Sequence, residues 1–481
     1  MIQQGFINIH LFNSHYRIRE IYLLMLIVLV GAVLRFYKLD FQGLWYDELH
    51  SMNESDPDLT IREVIEYAKT DQPPSFFLLL HSWFKVFPFT GFFGRAFTAF
   101  IGVLGVVAMY FLGTEIKNSS TGLIAALLTS LNYFHIYYSQ EVRFYTLFFL
   151  GTALSFLFFI KALRKITPFF FILYIFFTAL TVYTHYFGLI VLASQGIIFL
   201  IAVIFYRFDR KLFYYGLIAV VVVIILFLPW VPQIISDSKI TFWIEAVKFP
   251  RFLFAYFYNY FENRLLASLL GTLFLIYIVK TIIKTWRGKE IFSLDSMVVL
   301  GWMLLGYGIP FLYTVFIAPM LIVRYTIFIL PAVLIAITLG VVSLNSQRIT
   351  SAIVAVILIF SFKTLFIDKN YYTLIKKQQW REVVKEVIKE NKEPSVIFSY
   401  YSWHYNYYFK SFQSSKRSIN PSTVNYPETI KGIDYVWLIQ GHDPGIGATN
   451  EEIALLEKDF DVSKKIEYLG AGAILFKRKK N

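Results

Sequence analysis

Cysteine is absent from this 481-residue chain, which excludes disulfides, thiolate nucleophiles and cysteine-based zinc sites while leaving the compartment open. Charge is scarce too: Asp, Glu, Lys and Arg make up 16% of the residues, against 57% hydrophobic. A soluble chain of this length cannot bury so much apolar surface, and the mean hydropathy of +0.57 belongs to a polytopic membrane protein. No glycine-rich phosphate loop of the nucleotide-binding kind occurs, so a donor that carries a nucleotide is not expected. There is also no internal repeat with broken helices in matching positions, the pattern of many transporters. The net charge of +13 would suit a nucleic-acid binder, but the basic residues lie in short loops where the positive-inside rule already requires them. No nucleic-acid partner is expected.

What the chain has in quantity is long apolar stretches. A window of about 19 residues predicts about eleven spans, at 20–38, 92–113, 121–138, 142–161, 168–184, 187–205, 212–229, 265–283, 294–316, 325–342 and 350–366. Arg17 and Arg19 precede the first span, and alternate loops then carry Lys117, then Lys161, Arg164 and Lys165, then Arg207, Arg210 and Lys211, then Lys280, Lys284, Arg287 and Lys289, and Arg348; these are the expected cytoplasmic sides. The opposite sides hold the 39–91 loop, the Gln140 to Arg143 segment, His185, the 230–264 loop, Arg324 and everything after 367. The first span has no small-residue cleavage site and reads as a retained anchor. The chain thus divides into a membrane domain over 1–366, with a first outside loop over 39–91, and a small α/β domain over 367–481.

The first outside loop has structure of its own. Thr60 and Glu63 form a capping box, and Ile61, Val64, Ile65 and Ala68 follow at helical spacing, which predicts a short amphipathic surface helix. Asp71-Gln72-Pro73-Pro74 ends it. Residues 75–87 are apolar but too few to cross a core of about 30 Å, so a second interfacial helix is expected there. Beyond 367, Trp380, Val383, Val384, Val387 and Ile388 share one helical face, 395–399, 435–439 and 471–476 read as strands, and 450–460 reads as a helix. Tyr400 to Phe409 is an aromatic run.

The polar residues that recur on one predicted side are the candidate site. Asp47 and Glu48 stand behind Trp45 and Tyr46, where the chain leaves its first span. Asp71, the segment Gln140, Glu141, Arg143 and Tyr145, His185, and Arg324 with Tyr325 return to that side later. Singly, each has an ordinary reading as a solvated end group, a hydrogen-bonded histidine or a lipid-headgroup contact. Together they describe a buried polar site at a membrane boundary. A carboxylate poised as a base, one or two arginines for a phosphate and an aromatic wall suit transfer of a group from a lipid-phosphate donor to a hydroxyl.

The segments Leu44-Trp45-Tyr46-Asp47-Glu48-Leu49-His50-Ser51, Asp71-Gln72-Pro73-Pro74 with Leu78-Leu79-Leu80-His81, His135 to Tyr145, and Tyr183-Thr184-His185-Tyr186-Phe187 closely resemble those of bacterial membrane glycosyltransferases of the protein O-mannosyltransferase and aminoarabinose-transferase type. That resemblance covers roughly residues 20–345. It implies a GT-C fold, a polyprenyl-phosphate sugar as donor, a glycan, lipid or protein acceptor, membrane lipids as surroundings, and inverting transfer at the outer face of a bacterial cytoplasmic membrane. By matching motif it implies Asp47 as catalytic base with Glu48 beside it. Glu141, Arg143 and His185 would line the site, and Arg324 would sit near the donor phosphate. No cofactor is required; a divalent metal near Asp47 and Glu48 is the option that some such enzymes use. Many relatives have His or Lys where this chain has Gln72, so the charged donor contact made there is either missing here or supplied by Lys69 or Lys85. A transporter or flippase of lipid-linked sugars, and a non-catalytic scaffold, are the alternative readings.

Because the native chain has no cysteine, single cysteines at Asn53, Asn118 and Ser414 report topology cleanly. Asn53 and Ser414 are expected to react with a membrane-impermeant thiol reagent in intact cells, and Asn118 is not. Labelling at Asn118 from outside would reverse the predicted arrangement.

Overall fold

Apolar runs bounded by polar caps become helices here because a hydrocarbon core leaves each backbone N–H and C=O to be satisfied within its own segment. The computed structural model describes residues 9–11, 14–16, 18–206, 209–237, 244, 251–288, 293–390, 392–424, 426–441 and 450–479; parts of the 230–264 loop thus lie outside the described residues. A short hairpin, β1 (Ile9–Leu11) and β2 (Ser14–Tyr16), leads into α1 (Ile18–Phe36), α2 (Tyr46–Glu54), α3 (Ile61–Ala68) and α4 (Ser75–Phe84). Next come α5 (Gly91–Ile116), α6 (Ser119–Leu131), α7 (Tyr133–Ser139), α8 (Tyr145–Arg164), α9 (Pro168–Val182), α10 (Gly188–Phe205), α11 (Arg210–Phe227) and α12 (Val231–Asp237). They are followed by α13 (Arg251–Phe261), α14 (Arg264–Trp286), α15 (Leu294–Phe316), α16 (Leu330–Val342) and α17 (Gln347–Lys363). The remainder is α18 (Trp380–Glu390), β3 (Ser395–Phe398), α19 (Ser402–Ser411), α20 (Tyr426–Thr429), β4 (Tyr435–Gly441), α21 (Asn450–Asp459), β5 (Phe460–Tyr468) and β6 (Ala471–Arg478). The chain forms two compact units: 1–37, 57–85 and 95–372 make the first, and 38–56, 86–94 and 373–481 make the second.

Among the described residues seven helices are long and apolar enough to cross a membrane: Gly91–Ile116, Tyr145–Arg164, Gly188–Phe205, Arg210–Ser236, Arg264–Trp286, Leu294–Phe316 and Gln347–Asp368. The other four expected spans are helical as well, and each differs for a visible reason. Helix α1 carries Arg19, Glu20 and Arg35 within 19 residues. The 121–138 stretch breaks at Asn132 into α6 and α7. Helix α9 has 15 residues, and α16 has 13 after a tight 3-10 stretch over Val323–Phe328.

In the first unit α8 and α16 are buried along nearly their whole length. By contrast α11, α14 and α15 turn large apolar side chains outward, among them Ile218, Ile225, Leu275, Ile282, Leu304 and Phe316. Such a surface is stable only against hydrocarbon. Helices α5 and α6 approach backbone to backbone at Gly113 and Gly122, where a Cβ on Gly122 would stand 2.5 Å from the Tyr110 carbonyl oxygen; small residues permit this contact, as they do in membrane bundles generally. The expected surface helix is α3, and its capping box forms: the Thr60 hydroxyl accepts from Glu63 N–H at 3.3 Å while Glu63 Oε2 accepts from Thr60 N–H at 2.8 Å. Those Thr60 donors hold the exposed Glu63 carboxyl below the usual range. Helix α4 has ten residues, about 15 Å of helix, too short to cross.

The break at Asn132 leaves carbonyls at the end of α6 without helical partners. Arg35, fully buried, donates to the carbonyls of Gly31 (2.9 Å), Ser130 (3.0 Å) and Thr129 (2.9 Å) and to Nδ1 of His135 (2.8 Å). A cation there also suits the negative end of the α6 dipole. Asn132 then starts α7, its side chain accepting from His135 N–H at 2.9 Å and donating to the Tyr260 carbonyl at 2.9 Å.

In the second unit the sheet runs β3-β4-β6-β5, with β3 parallel to β4 and the other pairs antiparallel. Val396, Phe398, Val436, Leu438 and Phe476 form one core with Leu456 of α21. Helix α18 packs on β4, β5 and β6 and buries Trp380, Val383, Val384 and Val387, the face read from the sequence. The expected strands are present, and β5 is additional. Its Asp461, Lys464, Lys465 and Glu467 hide it from a hydrophobic pattern, and such charges are how an edge strand avoids further pairing.

Each carbonyl deprived of a buried donor costs about 1–3 kcal/mol. Arg35→Met is therefore expected to destabilise the purified protein by at least about 2 kcal/mol, read as a lower thermal unfolding midpoint. An unchanged midpoint would show that the guanidinium does not hold the break.

Candidate functional site

The loop after α3 places the first group of candidates. Asp71 ends a turn, with its N–H on the Ala68 carbonyl at 3.1 Å, and the two prolines then fix the entry to α4. This loop is tied to the α9–α10 turn: Ser75 N–H donates to the Tyr183 carbonyl at 2.9 Å, and Gln72 Oε1 accepts from Tyr186 N–H at 3.3 Å. Gln72 thus serves as an acceptor for backbone.

Between α7 and α8 the chain leaves the helix over residues 140–144, turning tightly with Arg143 N–H on the Glu141 carbonyl at 2.7 Å. Glu141 and Arg143 stand in this turn and not on a helix, because α8 begins only at Tyr145. Arg143 pairs with Asp71 at 2.6 Å, their side chains 6% and 16% exposed, and its guanidinium lies 4.6 Å from the Phe144 ring centre. Glu141 is buried near Tyr371, whose hydroxyl is pushed up by burial first and by neighbouring charge, Glu141 included. Gln140 donates through Nε2 to the carbonyls of Arg35 and Tyr37, both at 2.9 Å, so its amide finishes the end of α1. Tyr145 is packed between the Tyr138 and Phe144 rings.

His185 is buried, with its ring stacked on Phe148 at 5.0 Å and edge-on to Tyr325 at 4.8 Å. Its Nδ1 accepts from Phe187 N–H at 3.0 Å, which leaves the proton on Nε2. Among the described residues Nε2 has no hydrogen-bond partner. Burial, first of all, pushes the imidazole down to about 3, with Asp71 opposing and Arg143 and Arg324 adding to the shift. Asp71, Arg143 and Arg324 are thus all within electrostatic reach of His185. Two cations, one carboxylate and a neutral imidazole leave these four groups with one net positive charge at neutral pH. Arg324 stands in the 3-10 stretch before α16, its guanidinium 5.6 Å from the Tyr325 ring centre.

The acid pair belongs to the second unit. Asp47 and Glu48 occupy the first turn of α2 and part company there: Glu48 is fully buried and Asp47 is half-buried. Glu48 Oε2 accepts from Trp45 N–H at 3.3 Å and from Lys377 Nζ at 3.1 Å. No sequence motif marks Lys377, and it was not among the expected site residues. Among the described residues no group of three or more His, Asp or Glu is placed to hold a metal ion. Asp47 and Glu48 offer two carboxylates, one already carrying an ammonium, so the pair as it stands does not fit a divalent metal.

Residues 71–232 match the family described as dolichyl-phosphate-mannose-protein mannosyltransferase, a segment holding Asp71, Gln140 to Tyr145 and His185 but not the acid pair or Arg324. No curated protein matches the sequence. Among solved structures, ArnT from Cupriavidus metallidurans in the apo state aligns with a TM-score of 0.64 at 10% identity, over 95% of this chain and 98% of that one. The same protein bound to undecaprenyl phosphate aligns at 0.54 with 12% identity, over 94% and 97%. The oligosaccharyltransferase of Archaeoglobus fulgidus in the apo form aligns at 0.53 with 12% identity, over 87% and 69%. The chain has the GT-C fold. The resemblance read from the motifs, to membrane glycosyltransferases of the protein O-mannosyltransferase and aminoarabinose-transferase type, is borne out by the family match and by this GT-C architecture.

The imidazole value gives a signed pH dependence. The unfolded chain takes up a proton near the ordinary histidine value of about 6.5, and the folded chain does so only near 3. The stability His185 contributes is complete above about 6.5 and is lost as pH falls toward 3, by at most about 1.4 kcal/mol per pH unit. The unfolding midpoint of the purified protein is therefore expected to fall more steeply between pH 6.5 and 4.5 than that of His185→Gln. Equal slopes would place a solvated or charged imidazole at this position.

Proposed function

We propose that this chain is an inverting glycosyltransferase that moves a sugar from a polyprenyl-phosphate sugar to a hydroxyl of a glycan, lipid or protein acceptor, at the outer face of a bacterial cytoplasmic membrane. The observation that carries the reading is the pair of buried Arg143 and partly buried Asp71 beside neutral His185, with Arg324 in electrostatic reach, inside a fold shared with a protein crystallised with undecaprenyl phosphate.

Arg143 and Arg324 would receive the donor phosphate, since a planar guanidinium fork matches two phosphate oxygens at once. Asp71 holds the Arg143 fork in orientation. The Nε2–H of His185 is a neutral donor suited to a phosphate or sugar oxygen. Asp47 accepts the proton of the acceptor hydroxyl as that oxygen forms the new bond to the anomeric carbon. The bond from that carbon to the phosphate oxygen breaks, its electron pair stays on the phosphate, and polyprenyl phosphate leaves with the anomeric configuration inverted. Charge grows on the phosphate as the sugar departs, so the arginine contacts strengthen in the transition state. No metal enters any step.

A phosphate-binding cluster would also serve a flippase of lipid-linked sugars, and the fate of the donor separates the two. Incubated with a panel of labelled polyprenyl-phosphate sugars and acceptors, the wild-type protein is expected to release polyprenyl phosphate. Asp47→Asn should lower turnover by at least about 100-fold with normal membrane insertion. Arg324→Lys should retain donor binding and slow transfer, and Arg324→Ala should lose both. Donor translocated intact by the wild type, with Asp47→Asn unaffected, would overturn the transferase reading.

A further inference from the structure

We propose that Lys377 and Gln378, which lie outside the family-matched segment, are positioning residues for the acidic motif; this deepens the reading of Asp47 as base and rests on it. The carbonyls of Asp40, Phe41 and Leu44 and the N–H groups of Leu44 and Tyr46 are held by residues from the C-terminal part of the same unit. Gln42 Oε1 accepts from the N–H groups of Lys376 at 2.6 Å and Lys377 at 3.0 Å. Arg381 donates to the carbonyls of Asp40 and Phe41, both at 3.0 Å. The Tyr408 hydroxyl accepts from Leu44 N–H at 2.5 Å and donates to the Leu44 carbonyl at 3.1 Å. Gly43 permits this approach, because a Cβ there would meet Arg381 Cβ at 3.1 Å and the Tyr408 hydroxyl at 3.2 Å.

At the motif itself the contacts become chemical. Helix α2 begins at Tyr46, and its first N–H groups have no partner within the helix. Gln378 Oε1 accepts from Tyr46 N–H at 3.0 Å and is itself fixed by Trp380 Nε1–H at 2.9 Å. The Tyr46 ring lies parallel to His404, 5.0 Å away at 11°. Glu48, 0% exposed, meets the ammonium of Lys377, 8% exposed, at 3.1 Å. A carboxylate buried to that degree is stable only with a paired charge. Lys377 thus gives Glu48 a structural partner, and the rotation of the first turn of α2, which carries Asp47, follows from Glu48 and Gln378 together. The C-terminal part is in this sense a component of the catalytic apparatus.

The test uses the full-length protein in nanodiscs and two readouts. The first is kinetic. Lys377→Met is expected to lower kcat by about tenfold to a hundredfold with donor KM little changed. Lys377→Arg should lose less. Lys377→Met combined with Glu48→Gln should be no slower than Glu48→Gln alone, since removing the buried carboxylate removes the need for its partner. A Lys377→Met protein with unaltered kcat, or losses that simply add in the double variant, would overturn the proposal. The second readout is amide hydrogen exchange over 44–54, which needs no activity. It should quicken in Lys377→Met and in Gln378→Ala; unaltered exchange in both would overturn the proposal even if kcat fell. If the wild type transfers no sugar while exchange quickens, the assigned reaction fails and the clamp stands.

Discussion

A guanidinium cannot enter an apolar interior unless a carboxylate or a set of carbonyls absorbs its charge, and this constraint shapes the membrane unit at its two most informative points. Arg143 is admitted because Asp71 stands 2.6 Å away. Arg35 is admitted because α6 stops at Leu131 and turns the carbonyls of Thr129 and Ser130 toward it. The helices around them are ordinary apolar cylinders. The departures from helix are where polar atoms gather: the Asp71-Gln72-Pro73-Pro74 loop, the 140–144 turn, the 183–187 turn and the 3-10 stretch before α16. In a medium that supplies no hydrogen bonds, non-helical backbone is tolerated where protein groups satisfy it, and a chain that needs a polar site has to build it at such places.

That same constraint explains which parts were legible in the sequence. The Thr60/Glu63 box and the ten-residue α4 are local features, written in adjacent residues, and they form as read. The face of α18 and strands β3, β4 and β6 are likewise carried by local hydrophobic patterns. The break at Asn132 was not legible because hydropathy sees an unbroken apolar stretch from 121 to 138; only the distant Arg35 and the capping side chain of Asn132 reveal it. An arginine near the end of a predicted span was the available sign. Strand β5 was hidden by its charges. Lys377 stands in a Lys-Lys-Gln-Gln run with no pattern at all, and its pairing with Glu48 spans more than three hundred residues of sequence, a distance at which single-chain reasoning has no purchase.

The candidate residues also sort themselves by what they hold. Gln140 finishes the end of α1, Tyr145 packs in an aromatic stack, and Gln72 anchors backbone, so these three have structural partners that account for them. Asp71, Arg143, His185 and Arg324 form a group whose combined charge and neutral imidazole suit an anion. Glu48 is committed to Lys377, while Asp47 keeps a more open place in the same turn. An acid pair that reads as two equivalent carboxylates in sequence is thus two different groups in the folded chain.

Recognition of a lipid phosphate by the guanidinium cluster proposed in the membrane unit can be measured without any chemistry. Binding of a polyprenyl phosphate and of the matching polyprenyl alcohol would be compared on the purified wild type and on an Arg143→Gln/Arg324→Gln double variant. The wild type is expected to prefer the phosphate by at least about tenfold, some 1.4 kcal/mol, and the double variant to bind both alike. Equal affinity for phosphate and alcohol in the wild type would contradict it.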